Sequence, residues 1–222
     1  MNGTRSGQIR ILIADDEPLV RAGIIGILGT EPDLNVVCEA ATGREALDMT
    51  RSRLLDVALL DIRMPELSGL EVLRELRRGN STLPCLIVTT FGEDDYVSEA
   101  MNCGADGFVL KSGDPRELIL AVRAVSDGGA FFSPAVARRL LTDSAVARLD
   151  RKVQAQNAFR ALTTREQDVI QLIGRGMSNS DIAAELHLAE GTVKVHITSI
   201  LRTTGARNRV QAALIAVHAD KA

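Results

Sequence analysis

The sequence predicts an α/β domain with a doubly wound, five-stranded parallel sheet, followed by a small all-α domain. Between residues 9 and 126, five short apolar segments alternate with five segments of helical periodicity, which is the pattern of a parallel sheet covered by helices. Shorter helical patterns joined by tight turns fill residues 161–222. We predict that residues 127–160 form a helical or flexible linker between the two domains.

Charge and composition limit the classes of function. Residues 1–130 carry a net charge of −8, whereas residues 159–222 carry +2, so any polyanion is expected to bind the rear of the chain. The three cysteines are widely spaced, which favours reduced, mostly buried thiols over a disulfide or zinc framework. No apolar run approaches the roughly 18 residues of a membrane span. These features predict a cytoplasmic protein with no membrane partner.

The strands and helices of the first domain are predicted from short local signals. Each strand is a brief apolar run bounded by turn residues, which is typical of a strand buried on both faces. The predicted strands span residues 9–14, 36–38, 57–60, 85–89 and 107–110. The helices begin at capping signals, such as the spacing of Ser68 and Glu71 or the Asp114-Pro115 pair. They are predicted over residues 19–28, from about 43, over 70–78, from about 94 and over 115–125.

Side chains that suit phosphoryl chemistry follow several of these strands. They are Asp15, Asp16, Asp61, Thr89 and Lys111. Open parallel sheets gather such positions at one edge, and three ionised carboxylates cannot crowd together there without a cation. Mg²⁺ would neutralise them, and a hydroxyl and an ammonium suit the oxygens of a transferred phosphoryl group. For Asp61 alone, a capping role at the strand end is the alternative.

Residues 9–126 resemble a response-regulator receiver domain, because these five side chains and their spacing match the pattern of that family. The resemblance makes Asp61 the phosphoacceptor, Asp15 and Asp16 the acid pair, Thr89 the switch hydroxyl and Lys111 the lysine of the site. It further implies that Asp16, Asp61 and the backbone carbonyl of Arg63 bind Mg²⁺, and that Phe108 is the aromatic residue that rotates inward on activation. One departure is Thr90, because many receivers carry Ala or Gly there, and the larger side chain is expected to affect kinetics.

After the first domain, the sequence predicts the end of one helix and the beginning of another. Asp127-Gly128-Gly129 is predicted to end the last helix, and Ser133-Pro134 to begin another with an apolar side that reaches Leu141. From 142 to 156 the pattern weakens into a mixed linker. The alternative is that this stretch belongs to the first domain.

The rear segment contains four predicted helices. Capping-box spacing of Thr163 with Glu166 opens the first helix, and Ser178-Asn179-Ser180-Asp181 caps the second. The third spans 190–203 before Gly205, and the fourth spans 208–217. The third helix turns Val193, Ile197, Ile200 and Leu201 inward and Lys194, Val195, Thr198 and Arg202 outward. A tight turn followed by a helix with a polar and basic outer face is typical of a helix-turn-helix DNA reader.

This segment resembles the LuxR-type C-terminal domain, through Leu-Thr-x-Arg-Glu, Gly-x-Ser-Asn-x-x-Ile-Ala and Gly-Thr-Val-Lys-x-His in order. The whole chain is therefore similar to the NarL/FixJ class of response regulators. The resemblance assigns Lys194, Val195 and Thr198 to the major groove, with Thr192 and His196 near phosphates. Alternatives remain: Val195 as a packing residue and His196 as a donor to the backbone. Some relatives carry Lys where Thr198 stands. The fourth helix is a dimerisation helix in the class, although core packing could explain part of its apolar stripe, which consists of Val210, Ala213, Leu214 and Val217.

The expected function is that of a DNA-binding transcription regulator switched by phosphorylation of Asp61 from a sensor histidine kinase. The resemblance implies a homodimer when phosphorylated, an inverted-repeat promoter as the DNA target, and RNA polymerase as a further partner. It implies no enzyme activity beyond transfer of a phosphoryl group to its own Asp61. Two alternatives remain: a receiver that is never phosphorylated, and a haloacid-type phosphatase with Asp61 as nucleophile. The phosphatase is disfavoured because Arg63, rather than a second Asp, follows two residues later.

Overall fold

The computed structural model describes residues 7–79, 81–90, 94–133, 136 and 154–219. The chain divides into two compact units. The first contains the described residues through 126 with 131–133 and 136, and the second contains residues 127–130 and those from 154 onward. Most of the predicted helix after Ser133, and most of the predicted linker, lie outside the described residues. Residues 154–160, at the end of that linker, are helical.

The first unit is built on a parallel sheet with the strand order β2-β1-β3-β4-β5-β6. Its strands are β1 (Ile9–Ala14), β2 (Leu34–Ala40), β3 (Val57–Leu60), β4 (Cys85–Thr89), β5 (Gly107–Leu110) and β6 (Phe131–Phe132). Its helices are α1 (Pro18–Leu28), α2 (Gly43–Ser52), α3 (Gly69–Arg78), α4 (Asp94–Cys103) and α5 (Pro115–Ser126). The predicted doubly wound α/β fold is confirmed.

The prediction of five strands is wrong by one. β6 pairs in parallel with β5, and its ends are fixed by hydrogen bonds from Phe131 N to Asp106 O and from Ser133 N to Phe108 O. A strand of two residues is too short to show an apolar period of its own. The sheet therefore includes part of the stretch that the sequence predicted as linker.

Alternation along the strands divides the buried side chains between the two faces of the sheet. Ile13, Leu59 and Val88 belong to a core cluster that also contains Leu28 of α1 and Val122 of α5. Strands β3 and β4 are buried over their whole length, which is typical of central parallel strands covered on both faces. Burial of both faces is what forces the reactive side chains to the strand ends.

Arg77 joins two loops of the first unit through one guanidinium. It donates to the carbonyl oxygens of Ser81, Leu83 and Gly104 at 3.0–3.2 Å and to Asp106 Oδ2 at 2.8 Å. The side chains of Arg77 and Asp106 are only 14% and 16% exposed. The pair therefore fixes the loops that precede β4 and β5.

Replacing Arg77 with Met is expected to lower the free energy of unfolding of the first unit by about 3 kcal/mol, because Asp106 and three carbonyls lose a buried partner. Urea unfolding can be followed through fluorescence of Tyr96, the single tyrosine of a chain that has no tryptophan. The matched control is Arg78→Ala on the same helix, since Arg78 is 74% exposed and pairs with Glu75. Equal losses in the two variants would contradict this assignment.

The second unit contains four labelled helices around its own core. They are α6 (Thr164–Gly174), α7 (Asn179–Leu186), α8 (Glu190–Thr204) and α9 (Arg209–Ala219). The capping box predicted for α6 is present, and the predicted cap of α7 is also a capping box, formed by Ser178 and Asp181. Between α7 and α8, His187 adopts a positive φ of 54°, which makes the turn tight. The predicted helix-turn-helix arrangement is confirmed.

Candidate phosphorylation site and DNA-reading helix

The carboxylates of Asp15, Asp16 and Asp61 meet at the carboxyl edge of the sheet. One ligand oxygen from each lies within 4.8 Å of the others. Asp15 and Asp61 are buried, with exposures of 1% and 5%, whereas Asp16 faces solvent. The sequence predicted this convergence from strand ends alone.

Neighbouring strands and local hydrogen bonds explain the positions of the two buried carboxylates. Asp15 follows β1 and Asp61 follows β3, and these strands are paired in parallel, so they end side by side. Oδ1 of Asp15 accepts from the backbone N–H of Glu17 at 2.9 Å, and Oδ1 of Asp61 accepts from that of Ile62 at 2.8 Å. In each carboxylate, the second oxygen is left to face Lys111.

Lys111 reaches both buried carboxylates from β5. Its Nζ lies 2.7 Å from Oδ2 of Asp15 and 3.0 Å from Oδ2 of Asp61, and its backbone N–H donates to the carbonyl of Thr89 at 2.8 Å. Because β4 separates β5 from β3, only a long side chain can make this contact. Glu17 lies 3.9 Å from the same ammonium and was not predicted as part of the site.

Burial and charge act against each other in this cluster. Burial raises the pKa of Asp61, and this effect and the charge of Asp15 outweigh the opposite effect of Lys111. Burial favours neutral Lys111, but its hydrogen bonds to Asp15 and Asp61 outweigh burial and raise its pKa. The ammonium thus compensates part of the negative charge but not all of it.

The donor set fits Mg²⁺. Three carboxylate oxygens at this spacing are hard ligands, and Asp16 leaves one side of the group open to solvent. Asp16 and Asp61 would hold the ion, which would supply charge neutralisation for an incoming phosphoryl group. The part predicted for the carbonyl of Arg63 stays a prediction.

The two predicted switch residues lie inside the domain. Thr89 ends β4 and is fully buried. Phe108 in β5 is also fully buried, so its ring is directed inward in this structure. Thr90, the departure noted in the sequence, is exposed beside the site. An inward movement of Phe108 on activation stays a prediction.

Two glycines shape the loop after Asp61, and sequence reasoning missed their role. A Cβ on Gly69 would lie 2.0 Å from the carbonyl oxygen of Asp61, and one on Gly43 would lie 1.9 Å from that of Leu67. Glu66 adopts a positive φ of 67° within the same loop. Gly69 directly follows the capping serine of α3, which was the available signal. Its lack of a side chain allows α3 to start against the backbone of Asp61.

The outer face of α8 carries most of the predicted DNA contacts. Thr192, Lys194, Val195, Thr198 and Arg202 are exposed, and His196 is half-buried. Val195 is 68% exposed, so it does not serve the domain core. The hydroxyl of Thr198 donates to the carbonyl of Lys194 at 2.9 Å within the helix.

Burial on the inner face of α8 and along α9 agrees in part with the apolar patterns predicted for these helices. Val193 and Ile200 are fully buried in the core of the second unit. On α9, the predicted stripe is divided: Leu214 and Val217 are 43% and 41% exposed. Core packing therefore accounts for only part of that stripe.

A parallel sheet that gathers an acid pair, a third aspartate, a threonine and a lysine at one edge defines a receiver domain. Comparison with known proteins agrees. The response regulator receiver domain family matches residues 11–123, and the luxR family of bacterial regulatory proteins matches residues 160–216. The chain belongs to the NarL/FixJ class of two-component response regulators.

Relatives match over nearly the whole chain. The nitrate/nitrite response regulator protein NarP of Escherichia coli (strain K12) is 37% identical over 206 residues, which is 93% of each chain. The DNA-binding transcriptional activator DevR/DosR of Mycobacterium tuberculosis (strain ATCC 25618 / H37Rv) is 34% identical over 94% of each chain. Among solved structures, the response regulator ChrA of a heme-sensing two-component system is 32% identical, covers 95% of this chain and 97% of its own, and gives a TM-score of 0.53.

No helix among the described residues is both long and apolar enough to span a membrane.

Proposed function

We propose that this protein is a transcriptional response regulator switched by Mg²⁺-dependent phosphorylation of Asp61 from a sensor histidine kinase. The observation that carries the proposal is the position of Asp61 beside Asp15 and Asp16, with the Lys111 ammonium 3.0 Å from its carboxylate. An oxygen of Asp61 attacks the phosphorus of a phosphohistidine, the P–N bond breaks and the imidazole leaves. The protein serves as substrate and supplies the site, and it has no other enzymatic role.

Each neighbour of Asp61 has a defined part in the transfer. Asp16 and Asp61, with the carbonyl of Arg63, would hold Mg²⁺, which would neutralise charge during the transfer. The ammonium of Lys111 moves from an oxygen of the Asp61 carboxylate to an oxygen of the phosphoryl group, and its buried position makes that ion pair strong. The hydroxyl of Thr89 binds another phosphoryl oxygen. Movement of Thr89 and Lys111 toward the added charge repacks the domain around Phe108.

Phosphorylation then promotes dimerisation through a pre-existing equilibrium. Dimerisation matters because the second domain has a net charge of only +2 over residues 159–222, too little for tight binding of one copy to DNA. Two copies double the contacts and fix the spacing of an inverted repeat. NarP is named a response regulator and DevR/DosR a DNA-binding transcriptional activator, which supports the same role for this chain.

The DNA contacts fall to the outer face of α8. Lys194, Val195 and Thr198 enter the major groove, Thr192 and His196 lie near phosphates, and Arg202 contacts DNA from the same face of the helix. Because the donor hydrogen of Thr198 is used within the helix, its hydroxyl reads DNA chiefly as an acceptor. Bound at a promoter in the cytoplasm, the dimer would be positioned to contact RNA polymerase.

Dimerisation is tested by light scattering with beryllofluoride, which stands in for the phosphoryl group on an aspartate. With Mg²⁺ and beryllofluoride, the wild-type mass is expected to shift from monomer toward dimer, and Asp61→Asn is expected to show no shift. An unchanged wild-type mass over a wide range of concentration would count against phosphorylation-driven dimerisation.

A further inference from the structure

Arg21 of α1 makes two side-chain contacts outside its own helix. Its Nη1 donates to the backbone carbonyl oxygen of Asp15 at 2.6 Å, and its Nε donates to Oε2 of Glu39 at 3.3 Å. The side chain of Arg21 is only 16% exposed, whereas that of Glu39, near the end of β2, is 55% exposed. The guanidinium therefore binds the turn between β1 and α1, which contains Asp15 and Asp16.

Other hydrogen bonds hold the two ends of this turn. The backbone N–H of Asp15 donates to the carbonyl of Ala40 at 3.1 Å, and that of Glu17 donates to Oδ1 of Asp15 at 2.9 Å. The backbone N–H of Arg21 donates to the carbonyl of Glu17 at 3.0 Å, which closes the first turn of α1. The guanidinium of Arg21 adds a contact of another kind, because it holds the peptide unit that joins Asp15 to Asp16.

This peptide unit sets the direction of the Asp16 carboxylate. A peptide unit is planar, so a fixed carbonyl oxygen fixes the direction in which the chain continues to Asp16. The side chain of Asp16 is exposed, so its direction relative to Asp61 depends on the backbone that carries it rather than on packing in a core. Mg²⁺ requires near-ideal octahedral geometry with ligands at about 2.0–2.1 Å. A small rotation of this peptide would therefore move a ligand oxygen out of range.

We propose that Arg21 is a positioning residue for Mg²⁺ binding, which holds the peptide between Asp15 and Asp16 so that the carboxylate of Asp16 is directed toward Asp61. This inference rests on the proposed Mg²⁺-dependent function. Arg21 acts through the backbone of Asp15 and without contact with the ion or the phosphoryl group.

The charge of Arg21 and its hydrogen bond to Asp15 have opposite effects on Mg²⁺ binding. A cation near carboxylates competes with Mg²⁺, so removal of the charge alone would tighten Mg²⁺ binding. Loss of the hydrogen bond would weaken it, because contacts that orient metal ligands typically contribute about 10–100-fold to metal affinity. The direction of the change therefore distinguishes an orienting role from a purely electrostatic one.

The test is calorimetric titration of the unphosphorylated full-length chain with MgCl₂, which measures binding without phosphoryl transfer. Arg21→Met keeps most of the side-chain length but removes the donors, and its Kd for Mg²⁺ is expected to rise about tenfold. Arg21→Lys keeps the charge and an ammonium donor but loses the planar guanidinium, so an intermediate Kd is expected. The matched control is Arg51→Met, the same substitution at a 63% exposed position on α2, which is expected to keep the wild-type Kd.

Labelling with acetyl phosphate provides a second readout. In Arg21→Met, the Mg²⁺ concentration for half-maximal labelling is expected to rise by the same factor as the Kd, and saturating Mg²⁺ should recover most of the rate. A general loss of structure would instead lower the labelled fraction and leave that concentration unchanged. All variants are compared at a temperature where circular dichroism shows them folded.

Mg²⁺ binding in Arg21→Met that is as tight as in wild type, or tighter, would overturn the proposal, as would an unchanged concentration for half-maximal labelling. If Arg21→Met does not fold, Arg21→Lys decides alone, because a wild-type Kd in that variant would contradict a requirement for the guanidinium. If the wild-type chain itself binds no Mg²⁺, the proposed Mg²⁺-dependent function fails, and the role of Arg21 fails with it.

Discussion

Replacing Asp61 with Asn is expected to abolish phosphorylation of this protein completely. Asp61 meets the acid pair at the strand ends and contacts Lys111, as Asp15 also does, and an amide oxygen at position 61 is a poor nucleophile. Incubation with labelled acetyl phosphate and Mg²⁺ should label the wild-type chain and leave Asp61→Asn unlabelled. Chelation of Mg²⁺ with EDTA before the incubation should prevent labelling of wild type, because the carboxylates then repel the donor.

Two further variants distinguish loss of Mg²⁺ binding from loss of the phosphoryl acceptor. Asp16→Ala is expected to lose most labelling through weaker Mg²⁺ binding, and raising the Mg²⁺ concentration should restore part of it. Asp48→Asn is the control, since Asp48 is 64% exposed on α2 and outside the site. Full labelling of Asp61→Asn would sink the assignment of Asp61.

The second large effect is expected on DNA binding, from substitutions on the outer face of α8. If Lys194 contacts phosphate, Lys194→Ala should weaken binding to all sequences and reduce the magnitude of the salt slope by about 0.9. If Lys194 instead reads a guanine, the loss should be confined to one base pair per half-site, at a cost of about 1–3 kcal/mol. Val195→Ala should alter sequence preference and leave the salt slope unchanged, because the 68% exposed side chain carries no charge.

Salt-dependent footprinting distinguishes these outcomes. Arg175→Ala is a control with the same change of charge, at an exposed position at the end of α6. Its footprint is expected to stay at the wild-type position. A Lys194→Ala, Val195→Ala double variant that footprints like wild type would exclude α8 as the DNA-reading helix.

The sequence predicted the cluster of Asp15, Asp16, Asp61 and Lys111 because parallel topology does most of the positioning. An apolar run that ends in Asp61, and another that ends before Lys111, place both side chains at one edge once the strands are parallel. The fold class followed from the same alternation of strand and helix. Short-range signals at Thr163 and Ser178 likewise predicted the starts of α6 and α7.

Other features depend on contacts between distant segments, and local patterns cannot show those. The two residues of β6 become a strand only because β5 offers a free edge. Gly69 looks like an ordinary helix start until the carbonyl of Asp61 is placed 2.0 Å from its missing Cβ. Glu166 was predicted as a cap, but its burial depends on packing within the second unit, which no local pattern shows.

The most direct test of the central claim is footprinting of purified protein on genomic DNA, with and without phosphorylation by acetyl phosphate. The phosphorylated wild-type chain is expected to protect inverted repeats with half-sites about 10 base pairs apart, centre to centre. Unphosphorylated wild type and Asp61→Asn treated with acetyl phosphate should protect few of these sites. Identical footprints for all three samples would contradict a regulator that is switched at Asp61.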